Sequence, residues 1–192
     1  MVLSERFRPS QNACQVSNLS TVGLPIRVGR VPVARVTGGL CGGMVLDSLR
    51  RWRQGAPPAG GSDLSRVFAA QLRSFQVPTA PVQYLRLQRP GADRARASVS
   101  ERARGQISRA LADGEPVPVA LVSTLSRSPL GLTAHHVVLA YDLIEDGEDR
   151  SIFAVYDPNY PQDDDLMLML SPQGNRHSRG RPVHAAFVLR AR

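Results

Sequence analysis

From Val117 onward the chain holds a succession of short apolar runs: Val117–Thr124, His135–Ile144, Ser151–Asp157, Leu166–Leu170 and Val183–Arg190. Pro, Gly, Asp and Asn fill the gaps between them. Runs of this length bounded by turn residues read as strands. Before them the hydrophobic period is helical. Val45, Leu49 and Trp52 recur at i, i+4 and i+7, with Asp47, Arg50, Arg51 and Arg53 on other faces. Leu64, Val67, Phe68, Leu72 and Phe75 make a second apolar stripe, which Ser62 or Asp63 can cap. Ser98 with Glu101 has the spacing of a capping box and announces a third helix. Its buried face is Val99, Ala103, Ile107, Ala110 and Leu111, and Asp113–Gly114 followed by Pro116 stops it. Val77–Arg89, interrupted by Pro78 and Pro81, reads as extended or loop. Residues 1–35, broken by Pro9, Pro25 and Pro32, read as a wrapping segment with a little strand. Helices first and an antiparallel sheet after define an α+β chain.

At 192 residues the length suits one domain with a real core. Residues 1–35 would be its wrapping segment, 36–114 its helical part and 115–192 its sheet part. No apolar run approaches the roughly 18 residues of a membrane span. The first twenty residues lack the continuous apolar core of a signal peptide. Two cysteines, Cys14 and Cys41, do not make a disulfide framework. The default expectation is therefore a reducing, cytoplasmic setting without membrane association, with export by a signal-less route left open. The formal charge is +8, and all 24 basic residues are arginine, as codon bias in a GC-rich genome would produce. Residues 1–113 carry 17 Arg against 6 acids, whereas 142–165 carry 9 acids and only Arg150. The arginines are not interleaved with aromatic residues, so no single-strand binding surface is signalled, and nucleic-acid binding through the Arg-rich helix Ser98–Asp113 is a competing reading only. Arg102, Arg104 and Arg109 on the third helix read as a solvated face.

Cys41 lies between two glycine pairs, Gly38–Gly39 and Gly42–Gly43, at the start of the first helix. A thiol there meets unpaired N–H groups and the positive end of the helix dipole, both of which favour the thiolate. The glycines let the backbone approach a bound ligand closely. These features make Cys41 a candidate nucleophile. Cys14 has no helix after it and no assigned role.

A partner comes from the hairpin His135–Asp157. Asp146–Gly147 at its centre favours a two-residue type I′ turn, which sets Glu145 opposite Glu148 and His136 across from Asp157. A four-residue loop would make them diagonal neighbours on the same face instead. In either register an imidazole lies beside a carboxylate able to fix its tautomer and stabilise the imidazolium. His135 points to the opposite face. Asn159, of the same parity as Asp157, is the alternative orienting group.

The Gly-Leu-Cys-Gly-Gly-Met helix start, the His-x-Val-x-Ala-Tyr strand (136–141) and the Tyr-Asp-Pro-Asn turn (156–159) resemble papain-like cysteine peptidases, nearest to the bacteriocin-processing, double-glycine branch. The resemblance spans roughly residues 36–160. It implies a papain-like fold, a peptide or protein substrate, no cofactor and no metal, with Cys41 as nucleophile, His136 as general base and Asp157 as orienting acid. The family places a glutamine shortly before the cysteine as a side-chain oxyanion donor, where this chain has Arg35. The backbone N–H of Cys41 remains, and Thr37, Asn18 and Gln15 are the candidates for a second donor.

Competing readings are a catalytically silent papain-like domain that binds a peptide or protein partner, and a thiol acyltransferase or deamidase with the same triad. A metal site from Cys41, His135, His136, His177 and His184 is disfavoured because none of these residues forms a closely spaced ligand pair. His177, in a basic loop, and His184 have no spacing that demands chemistry. Asp163–Asp165 reads as a solvated turn and lacks the calcium-loop spacing.

Overall fold

The computed structural model describes residues 6–21, 25–28, 31–35, 39–60, 64–74 and 79–190; for 21, 25–28, 31–35 and 64 only the backbone is described. Ser62, Asp63, Phe75 and Thr37, each assigned a place above, lie outside these residues. The architecture is α+β. Helices α1 (Pro9–Asn12), α2 (Cys41–Arg53), α3 (Leu64–Ser74), α4 (Thr79–Leu87) and α5 (Asp93–Ala112) precede the main sheet. A two-stranded hairpin, β1 (Pro25–Val28) and β2 (Val31–Arg35), belongs to the N-terminal segment. The main sheet comprises β3 (Val117–Val122), β4 (His136–Asp146), β5 (Ser151–Tyr156), β6 (Met167–Leu170), β7 (Arg176–His177) and β8 (Ala185–Val188). Its order is β7-β6-β5-β4-β3-β8, and every pairing is antiparallel.

Strand β4 is central, and both its faces are covered. Val137 and Leu139 pack with Val45 and Leu49 of α2, while Val138 and Ala140 pack with Ala103 and Ile107 of α5. Two-sided burial explains why residues 137–140 read as an unbroken apolar run rather than an alternation.

Two prolines read as breakers are helix starters. Pro81 falls in the first turn of α4, so Thr79–Leu87 is helical rather than extended; residues 77 and 78 of the expected Val77–Arg89 stretch lie outside the described residues. Pro9 opens α1. At a helix start the missing N–H has no intrahelical partner to lose. The Ser98–Glu101 spacing is not a cap either. Helix α5 begins at Asp93, and the Ser98 pair lies inside it. Its covered face is Arg96, Ser100, Ala103 and Ile107; Val99, Ala110 and Leu111 are only half-buried. Leu72 of α3 is 57% exposed and lies outside the core. The stop at Asp113–Gly114 is observed, with Gly114 at φ +79° in the left-handed region that ends helices.

Helix α2 is enclosed on nearly every side. Asp47 and Arg51, expected on outward faces, are buried, and the Asp47 carboxylate receives Arg51 Nε at 2.7 Å and Arg50 Nη2 at 2.8 Å. The glycines after Cys41 serve helix packing rather than ligand approach. A Cβ on Gly43 would lie 2.2 Å from the Val67 carbonyl oxygen and 2.8 Å from the Gln71 nitrogen, both backbone atoms of α3. One on Gly42 would lie 2.4 Å from Ser74 Oγ. Gly43→Ala is therefore expected to destabilise the protein by about 1–3 kcal/mol through overpacking. Gly105→Ala on α5, where the added Cβ meets nothing within 4 Å, should stabilise it by about 0.5–1 kcal/mol. Chemical denaturation of the two variants checks the contrast.

Candidate active site

Helix α2 starts at Cys41 with Leu40 as its N-cap. Gly39, at φ +77°, turns the chain into the helix, packed against the Asn18 amide. Asn18 Oδ1 accepts the Leu40 N–H at 2.6 Å, and Gln71 Oε1 accepts that of Gly43 at 2.7 Å. The helix start is thus held from both sides by amide side chains. Cys41 keeps 7% of its surface exposed, and Cys14 is fully buried.

His136 opens β4. Its Nε2 lies 2.6 Å from Asp157 Oδ1, with the two side chains 2% and 0% exposed. The Cys41 thiol lies beside the same ring, close enough for the charges of the two groups to act on each other. Since Nε2 is engaged by Asp157, Nδ1 is the nitrogen left for sulfur. Cys41, His136 and Asp157 are thus brought into one chain of contacts. Asn159, the alternative partner, plays a different part. Its backbone N–H donates to Asp157 Oδ1 at 2.8 Å, and its side-chain oxygen accepts from Asn18 Nδ2 at 2.9 Å.

The hairpin reaches this arrangement by a route unlike the tight turn expected for it. Asp146 pairs with Ser151, leaving a loop at 147–150 in which the Gly147 N–H donates to the Arg150 carbonyl at 2.8 Å. Two bulges in β4 then shift the register, so that Leu139 faces Tyr156 and Asp157 becomes the diagonal neighbour of His136. Each bulge adds one residue and flips side-chain parity, and two restore it.

His135 is turned away. Its Nδ1 accepts the Ser123 N–H at 3.3 Å, its Nε2 meets Gln88 Oε1 at 2.8 Å, and Tyr84 stacks on its ring at 4.5 Å. Burial and the nearby His184 charge push His135 down to about 4, so it is neutral.

Electrostatics favour a charged Cys41–His136 pair. Burial pushes the Cys41 thiol up, but the His136 charge and hydrogen bond and the backbone N–H groups of Val137 and Gly42 outweigh it, and the net shift is downward. Burial also opposes charge on His136. The Cys41 charge, the Asp157 hydrogen bond, the Cys41 hydrogen bond and the Asp157 charge together push it up to about 9. Asp157 ends below its ordinary range, because His136 and the Asn159 N–H overcome its burial. A thiolate–imidazolium pair of this kind is a preformed nucleophile.

No family model, curated protein or solved structure matches the chain.

Tyr84 and His177 at the site had no signal in the sequence, and Tyr156 had one only as part of the Tyr-Asp-Pro-Asn motif. The Tyr84 hydroxyl donates to the His136 carbonyl at 3.3 Å and is close enough to feel the Cys41 charge. Tyr156 lies beneath, its hydroxyl 3.5 Å from the Cys14 carbonyl. His177 approaches Asp157 from the far side. Of the expected oxyanion donors, Gln15 spends its amide on the carbonyls of Pro9, Ser10 and Ala13, and the Asn18 amide bridges Leu40 and Asn159. Among the described residues no three His, Cys, Asp or Glu side chains are grouped as a metal ion requires. No helix among them is long and apolar enough to cross a membrane. In the acidic run, Asp164 accepts from Ser10 and Asp163 pairs with Arg179.

Proposed function

We propose that the chain is a papain-like thiol hydrolase cleaving a peptide or amide bond through Cys41, His136 and Asp157. The observation that carries this reading is the contact series from the thiol through the His136 ring to Asp157, at the N-terminus of a buried helix. The thiolate attacks the acyl carbon, and His136 gives its proton to the departing amine. Water, deprotonated by His136, then resolves the thioester. Asp157 holds the ring through Nε2, which leaves Nδ1 toward the thiol, and stabilises its charge. The oxyanion would be met by the Cys41 N–H, one of the donors a first helical turn leaves unpaired. Neither Asn18 nor Gln15 is poised as the second donor. That observation favours a second reading, a site that binds a peptide without turning it over; the same triad would also serve an acyltransferase or deamidase.

Iodoacetamide labelling of Cys41, followed by mass spectrometry across pH, tests the site. Labelling should set in well below the ordinary thiol value of about 8.5. A profile centred near that value would sink the nucleophile. A peptide or small-ester assay with Cys41→Ala as control separates turnover from binding: equal progress curves favour the binding domain.

A further inference from the structure

Strand β7 is two residues long, and its pairing with β6 sets His177 opposite Leu168, which itself pairs with Phe153. Alternation along β5 then puts His177 on the sheet face shared by Phe153, Val155 and Asp157. There His177 Nε2 lies 3.4 Å from Asp157 Oδ2, with both side chains 0% exposed. Neither atom has a hydrogen-bond partner, so the two buried polar atoms face each other without a formed bond. The second ring nitrogen decides what the contact is. Nδ1 of His177 accepts the Arg179 backbone N–H at 3.2 Å, so in the neutral ring the proton sits on Nε2, facing Oδ2. Burial holds His177 below its ordinary value against the pull of Asp157, with His136, Arg181 and Arg179 adding to the depression. The ring is therefore a neutral donor. At 3.4 Å the pair falls short of hydrogen-bond geometry and would have to tighten to form one, as catalytic contacts in a substrate-free site often do.

We propose that His177 is a positioning residue that clamps the Asp157 carboxylate through Oδ2 and keeps Oδ1 aimed at His136. The series then runs Cys41–His136–Asp157–His177, the last member moving no proton. The inference rests on the reading of Cys41 as a nucleophile. Without a donor, a buried carboxylate oxygen either takes up a proton or turns toward water. His136 then loses the anion that stabilises its charged form, and the Cys41 thiolate loses its counter-ion.

The test compares Cys41 labelling by iodoacetamide across pH in wild type, His177→Leu and His177→Gln, with thermal unfolding of each. His177→Leu should raise the apparent pKa of Cys41 by about one unit, slowing labelling about tenfold at pH below the wild-type midpoint. His177→Gln, whose amide N–H can reach Oδ2, should restore most of the difference. A merely structural residue would change the unfolding temperature and leave the labelling profile in place. A folded His177→Leu protein with the wild-type profile overturns this inference alone. An ordinary thiol profile in the wild type overturns the nucleophile and the clamp together. Should His177→Leu fail to fold, the imidazole ¹⁵N spectrum of the wild type decides. The proton on Nε2 with Nδ1 bare supports the clamp, and the opposite tautomer or an imidazolium overturns it.

Discussion

His136→Ala is expected to lower turnover of a peptide or ester substrate on the order of 10³-fold, the scale of a lost general acid–base. It should also push Cys41 labelling to higher pH than an ordinary thiol shows. The sign follows from what opposes what at the sulfur. Burial is the largest influence on Cys41 and raises its pKa; the His136 charge and hydrogen bond are the main forces reversing it. With the ring gone, the Val137 and Gly42 N–H groups remain but burial dominates, so the thiol stays protonated through neutral pH. Labelling at pH 7 should fall tenfold or more. On the proposed mechanism the active form has Cys41 ionised and His136 protonated. Activity should therefore rise with pH through the lowered Cys41 value and fall again as His136 loses its proton near 9. His135→Gln is the matched control. His135 faces Ser123, Gln88 and Tyr84 instead of the thiol, so this change should leave the labelling profile in place.

The helices-then-sheet order and the His136–Asp157 pairing were legible because both depend on parity and periodicity, whereas the short elements α1, α4 and β7 were not. Nor was the route to the pairing. Asp146–Gly147 is a strong local turn signal, yet Arg104 of α5 donates to the Gly147 and Glu148 carbonyls at 3.0 and 3.2 Å and holds a wider loop there. Two bulges then absorb the offset. The same arginine had been read as part of a solvated face, and Arg96 likewise turns inward to the Leu87 and Arg89 carbonyls. Charge along a sequence does not say which guanidinium finds a carbonyl. Gly42 and Gly43 were singled out for the right rarity and the wrong neighbour, because the approach they permit is that of α3, far along the chain. His177 was illegible for a similar reason. It lies in a two-residue strand, too short for any period, and reaches Asp157 only through the β6 register. Asn18 sits in the N-terminal segment, and only the folded chain brings it to Leu40 and Asn159.

Asp47→Ala is expected to destabilise the protein by about 3–5 kcal/mol, the cost of removing one member of a buried ion pair. Its side chain is 1% exposed, that of Arg51 is 9% exposed, and the two meet one helical turn apart, at i and i+4. Without the carboxylate, the Arg51 charge stays inside, with the Pro57 carbonyl at 3.0 Å as a neutral acceptor. The exposed Glu145–Arg150 pair offers the contrast, since both of its side chains reach solvent. Glu145→Ala should cost no more than about 1 kcal/mol. Replacing the buried pair together, Asp47→Leu with Arg51→Met, should recover most of the loss, because an apolar pair of similar volume carries no desolvated charge. Guanidinium denaturation of the single and double variants measures this directly. The outcome bears on the site as well as on the fold. Helix α2 carries Cys41 at its first position, so a single variant that frays the helix should also lose early labelling of Cys41, and the double variant should regain it.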